Sequence, residues 1–242
     1  MLSVIIPSFK EGKIIDVSVS QIIDQLNNAL EYEIIIIDDN SNDGTLEKVK
    51  AISISNPNVH IYLNPKEKGF GNSIKEGIKR AKGEFVCIFM ADQSDDPKDI
   101  IRYFEYMNSG LFDCVFGDRW TKDQNVKNYP KFKFFLNRFG NKLISKIFSV
   151  NYTDVTNSFK MYKKDVLMDL FPIVSNHFSI TIEIPLKLIY RGYKFKVITN
   201  SWRNNEHSVS NLNLWNVLFT YSLILIYCRI EKYFINHKSN NN

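Results

Sequence analysis

Short apolar runs alternate with segments of helical spacing through the first 120 residues of the chain. The runs LSVIIP (2–7), EIIIID (33–38), NVHIYL (58–63), EFVCIFM (84–90) and DCVFGD (113–118) are rich in β-branched and aromatic residues. Several are apolar almost throughout, the pattern of strands covered on both faces. Between them, a period near 3.6 predicts helices around 12–29, 44–55, 69–82 and 97–108. Repeated strand–helix alternation predicts an α/β fold with a mixed, mainly parallel sheet and helices on both faces.

The second half changes character. Residues 129–150 place Phe135, Phe139, Leu143 and Ile147 at helical spacing, with Arg138, Lys142 and Lys146 three positions behind their partners. This fits a helix packed on the sheet and equally a helix lying in a membrane interface. A strand and a helix start are predicted in 157–167, a helix over 178–191 and a strand over 193–199. The run LWNVLFTYSLILIYC (214–228) predicts a nearly uncharged C-terminal helix, followed by a polar tail. It falls short of the ~20 residues that span a bilayer, so peripheral association is expected. The expected division is one α/β domain over 1–210 and a membrane-associating helix and polar tail over 211–242.

Composition narrows the class without choosing a function. Hydrophobic residues at 44% and charged residues at 24% belong to a globular core and exclude a disordered chain. The net charge of +5 suits phosphates or lipid headgroups, and no nucleic-acid partner is expected. Cys87, Cys114 and Cys228 have neither metal nor disulfide spacing, which makes a reducing compartment the default. A strand that starts within three residues of Met1 leads to the expectation of no signal peptide.

In doubly wound sheets ligands bind at the carboxyl ends of strands, and polar residues gather there in this chain. Strand one ends in PSFKE (7–11), strand two in DDNSNDGT (38–45), strand four in ADQSDD (91–96) and strand five in GDR (117–119). Asp38 and Asp39 leave a buried strand together, which a capped turn alone does not explain. Their carboxylates can accept from a nucleobase imide or a ribose. Gly69 and Gly71 lack a third glycine at Ile74 and follow strand three, so structural glycines at a helix start are expected and a dinucleotide fingerprint is not. Asp92 is the candidate ligand for a divalent cation bridging a diphosphate. Asp96, and Asp95 with it, read as charge at a helix N-terminus ahead of Pro97. Arg119 and Arg203 are candidate phosphate partners.

Taken together, these segments resemble the family 2 glycosyltransferases of GT-A fold, closest to the polyprenyl-phosphate sugar transferases of the dolichol-phosphate mannose synthase type. VIIPSFKEGKII, IIIIDDNSNDGT, NPKEKGFGNSIKEGIKRAKGE, FGDRW, DVTNSFKMYKKDVL and SWRNNEHSVS carry the resemblance over roughly residues 1–210. It implies that Pro7, Phe9 and Glu11 line the nucleobase and ribose, that Asp39 binds the base, and that Ala91 and Asp92 meet the diphosphate with Mg²⁺ or Mn²⁺. The chain departs from the family pattern at four places. Met90 stands where the first Asp of Asp-x-Asp is expected, Ser158 and Glu206 replace glycines, and Val209 replaces a lysine.

The implied activity is inverting transfer of a hexose from a nucleoside diphosphate sugar to a polyprenyl phosphate, at the cytoplasmic face of a membrane, with a homodimer allowed. That acceptor is already anionic and needs no general base, leaving Asp92, Arg119 and Arg203 as the catalytic set. Two alternatives stay open. One is transfer to a saccharide hydroxyl in surface polysaccharide synthesis, with Glu183 nominated as the base although a surface or capping role suits it better. The other is a non-catalytic nucleotide-binding member of the fold, which Met90 and Val209 favour. The partial glycine pattern argues against a dehydrogenase.

Overall fold

The computed structural model describes residues 1–121, 126–127, 129–204 and 214–239. Strands and helices follow one another as β1 (Leu2–Ser8), α1 (Ile15–Leu26), β2 (Tyr32–Asp38), α2 (Thr45–Ser55), β3 (Val59–Leu63), α3 (Phe70–Arg80), β4 (Phe85–Ile88), α4 (Lys98–Asn108) and β5 (Cys114–Asp118). The second half adds β6 (Val126–Lys127), α5 (Lys131–Phe148), β7 (Lys160–Lys163), α6 (Lys164–Asp169), α7 (Ile180–Tyr190), β8 (Phe195–Thr199), β9 (Trp202–Arg203) and α8 (Leu214–Ser239).

Among the described residues, seven strands form one sheet in the order β3-β2-β1-β4-β7-β5-β8. All pairings are parallel except those of β7, which runs antiparallel to both β4 and β5. The period of two along each strand divides the interior into two cores. Ile5, Ile35, Ile37, Val86, Ile88 and Phe116 face α3, α5, α6, α7 and α8. Val4, Ile6, Ile34, Ile36, Cys87 and Val115 face α1, α2 and α4. Burial on both sides is why these runs are apolar at consecutive positions.

The connections from β1 run outward through β2 to β3, then return to place β4 on the other side of β1. The strand order therefore reverses between β1 and β4, and in doubly wound sheets the crevice outside the carboxyl ends at such a point is where ligands bind.

The C-terminal helix is longer than the sequence pattern predicts. The expected polar tail continues as helix to Ser239, because its charged residues find partners on neighbouring elements. Glu231 pairs with Arg191 at 2.6 Å, and Lys232 donates to the Phe148 carbonyl at the end of α5. Ile224 and Cys228 of α8 join the core formed with α7.

Candidate active site

The loops after β1 and β2 are stitched to each other. The Gly12 amide donates to Asp43 Oδ2 at 2.8 Å, and the Lys10 amide to Ser41 Oγ at 2.8 Å. A Cβ at Gly12 would lie 2.2 Å from the Asp43 carbonyl oxygen, so glycine is what permits this approach. Pro7 is buried within β1, whereas Phe9 just beyond the strand is 43% exposed. The Phe9 ring is flanked by Lys68 Nζ at 4.8 Å and Lys10 Nζ at 5.4 Å from its centroid. A part-exposed aromatic ring with two ammonium groups over it offers both π surface and positive charge.

Asp38 and Asp39 divide their work. Asp38 accepts from the Ser41 amide and hydroxyl at 2.8 and 2.7 Å, which closes its own turn. Asp39, also buried, accepts from Asn64 Nδ2 at 2.6 Å, the Gly69 amide at 2.7 Å and Ser73 Oγ at 3.2 Å. Both Asp39 oxygens are thus engaged in tying β2 to the start of α3, and any nucleobase contact has to share them. Asn64 and Ser73 escaped the sequence reading; the adjacent acids were the signal that a buried carboxylate needed such donors. At the start of α3, the Gly71 and Asn72 amides donate to the Asn176 carbonyl at 2.9 and 3.2 Å. That helix end is covered by protein backbone, which bears out the structural reading of Gly69 and Gly71.

Beyond β4 the chain enters the loop that holds Asp92. The Phe89 amide continues the pairing with β1, and the Ala91 carbonyl accepts from Ser18 Oγ at 2.5 Å. Asp92 Oδ1 accepts from the Ser94 amide at 3.0 Å, with Gln93 in the left-handed region at φ 59°. Asp92 lies close enough to Glu11 for their charges to interact. Burial, then Asp92, then Asp43 push the Glu11 carboxyl up to about 7. The crevice between β1 and β4 therefore holds a concentration of negative potential.

Asp95 departs from the helix-terminus reading. It precedes α4, is 4% exposed, and its Oδ1 accepts from Asn200 Nδ2 at 3.1 Å. Asn200 Oδ1 in turn accepts from Asn157 Nδ2 at 3.0 Å. Burial foremost, and the nearby Asp92 charge, raise the Asp95 carboxyl well above the usual carboxylate range. Asp96 behaves as expected, accepting from the Lys98 amide at 3.0 Å.

The two arginines occupy different settings. Arg119 is not an open cation at the rim. Its Nε and Nη2 donate to the Asp154 carboxylate at 2.8 Å each, with side chains 10% and 0% exposed. Arg203 is exposed, and its amide donates to the Ser94 carbonyl at 2.8 Å, tying β9 to the Asp92 loop. It lines a cavity of about 470 Å³ with residues of α1 and the 93–98 loop, among which Asp92 is not counted. Glu206, Ser208 and Val209 lie outside the described residues.

Glu183 is neither a surface residue nor an available base. It is fully buried, accepts from the Val174 and Ser175 amides, and pairs with Lys187 at 2.9 Å.

A divalent cation shared with a diphosphate would need oxygen ligands in this crevice. Among the described residues, no three acidic, histidine or cysteine side chains form a ready-made cage. Asp92 and Glu11 instead bring carboxylate oxygens together, the hard ligands that a cation shared with a diphosphate would take. In that sense the residues fit.

Sheet order and the helices on both faces define an α/β fold of the GT-A type. The family model "Glycosyl transferase family 2" matches residues 3–171, and the chain belongs to that family. It is 30% identical over 194 residues to a dolichol-phosphate mannosyltransferase of Pyrococcus furiosus, covering 77% of this chain and 52% of that protein. The chain thus spans about half the length of that relative. It is 24% identical over 221 residues to a polyprenol monophosphomannose synthase of Mycolicibacterium smegmatis, covering 88% and 82% of the two chains. Among solved structures, glucosyl-3-phosphoglycerate synthase from Mycobacterium tuberculosis in complex with phosphoglyceric acid superposes with a TM-score of 0.74 at 14% identity, over 94% of this chain and 79% of that one. A mannosyltransferase from Pyrobaculum calidifontis in complex with GDP-Man and Mn²⁺ gives 0.60 at 17%, over 84% and 56%.

Proposed function

We propose that this chain transfers a hexose, with inversion, from a nucleoside diphosphate sugar to a polyprenyl phosphate at the cytoplasmic face of a membrane. The observation that carries the reading is that the segments after β1 and β4, with Glu11 and Asp92 near enough for their charges to interact, meet at the point where strand order reverses. The relatives named as dolichol-phosphate and polyprenol-phosphate mannose transferases support this acceptor class.

Phe9 would stack on the base, with Pro7 behind it as floor and Lys68 beside the phosphates. Asp39 would hold the base-side wall through Gly69 and Asn64. Asp92, with the Ala91 backbone next to it, would hold Mg²⁺ or Mn²⁺ together with the diphosphate. The cation would neutralise charge that builds on the leaving diphosphate. Arg203 supplies an exposed guanidinium on the strand next to the Asp92 loop, and Arg119, matched by Asp154, fixes the end of β5. The acceptor phosphate is ionised near neutral pH, so alignment and charge stabilisation suffice and no base is required. The buried Lys187 partner of Glu183 weighs against a saccharide hydroxyl activated by that residue.

The test is product analysis by mass spectrometry, using nucleoside diphosphate sugars with Mn²⁺ and either polyprenyl phosphate or an oligosaccharide. Turnover on polyprenyl phosphate that is lost in Asp92→Ala is expected. Turnover on the oligosaccharide alone would move the assignment to the saccharide reading, and none on any donor would move it to a binding protein.

A further inference from the structure

Two apolar stripes lie open on the surface. On α5, Phe132, Phe135, Phe139, Leu143 and Ile147 recur every three or four residues and are 40–69% exposed. On α8, Phe219, Leu223, Ile226, Ile230 and Phe234 do the same at 49–65%. The helices meet where Arg229 donates to the Ile147 carbonyl at 3.3 Å and Lys232 to the Phe148 carbonyl at 3.2 Å. Stripes this long on a monomer mark a surface that another body covers.

Charge selects that body. No acidic residue occurs from Tyr129 to Thr153, while Lys131, Lys133, Lys142 and Lys146 stand exposed along α5. On α8 the cations Arg229 and Lys232 face α5, and Glu231 is taken by Arg191. A second copy laid stripe to stripe would bring two lysine rows together, whereas an anionic lipid surface offers hydrocarbon for the stripes and phosphates for the lysines. Among the described residues, no helix is long and apolar enough to cross a membrane, so the helices would lie along the leaflet.

We propose that α5 and α8 form a basic, apolar shelf that docks on an anionic lipid leaflet. This deepens the functional reading, which puts the acceptor in a lipid phase, but it is measured without donor or acceptor. Sedimentation with vesicles of phosphatidylglycerol and phosphatidylcholine, against phosphatidylcholine alone, tests it. Binding to the anionic vesicles that weakens with salt is expected. Phe135→Glu/Phe139→Glu and Ile226→Glu/Ile230→Glu should each lower that binding by at least about tenfold. Their melting temperatures should stay put, since the replaced side chains face outward. Each variant should also keep turnover on a short-chain, water-soluble polyprenyl phosphate if the transferase reading holds. Absence of vesicle binding, binding untouched by these substitutions, or a dimer in size-exclusion chromatography that the same substitutions split would overturn the shelf and leave the transferase reading standing.

Discussion

Arg119 and Asp154 face each other through two parallel hydrogen bonds of 2.8 Å, and the Arg119 amide adds a third to the same carboxylate at 3.0 Å. The pair fastens the loop after α5 to the end of β5. Removing one partner strands a buried charge. Asp154→Ala is expected to lower unfolding free energy in urea by about 3–5 kcal/mol, the range for breaking a buried ion pair. Asp154→Asn keeps the shape and loses the charge, and should fall between wild type and Asp154→Ala.

The buried amide chain behind the Asp92 loop gives a second expectation. Asn200 donates to Asp95 Oδ1, and an asparagine oxygen at position 95 can accept the same hydrogen bond. Asp95→Asn should therefore keep the Mn²⁺ concentration that half-saturates thermal stabilisation in the presence of a nucleoside diphosphate. Asp95→Ala should raise it by about tenfold, the common loss when support behind a metal ligand is removed. An equal loss in both variants would make the Asp95 charge itself the important property.

Glu11 should leave a mark on the pH dependence of stability. Its carboxyl is raised from 4.5 to about 7 by burial, then by Asp92 and Asp43. The folded state thus binds the proton more tightly than the unfolded chain. The resulting stabilisation is complete below about pH 4.5 and is lost as pH rises through about 7. Glu11→Gln should flatten the metal-free melting-temperature profile between pH 5 and 8 and raise the melting temperature at pH 8. A profile of unchanged slope would mean that Glu11 carries no such strain.

Gly71 tests the contact between α3 and the 172–178 loop. A Cβ there would lie 2.6 Å from the Ser175 carbonyl oxygen and 2.8 Å from the Asn176 carbonyl carbon, both backbone atoms that cannot swing aside. Gly71→Ala should cost about 1–3 kcal/mol in urea unfolding, as overpacking does. Gly140→Ala, with open space around it, serves as the comparison and should be neutral or stabilising.

Much of this architecture is written in the periodicity. The first five strands and four helices lie within a few residues of their predicted spans, because each apolar run serves two cores at once. What one sequence could not disclose was pairing between distant segments. Arg119 looked like a rim cation because Asp154 lies 35 positions away. Asp95 looked like a helix-end charge because Asn200 lies 105 positions away. Glu183 looked like a surface acid because its partners come from the bend before α7 as well as from Lys187. The C-terminal helix outran its apolar pattern for the same reason, its later charges being matched by α5 and α7.

The antiparallel β7 sits between β4 and β5, yet residues 160–163 emerge from the ribosome some 40 positions after β5 is complete. Until then the two neighbouring strands carry bare edges at the middle of what will become the sheet, and β5 still lacks β8 on its other side. A nascent chain halted near residue 150 would therefore hold a four-stranded β3-β2-β1-β4 sheet and a lone β5, both open to foreign strands. The fold closes late, with one short segment acting as the keystone.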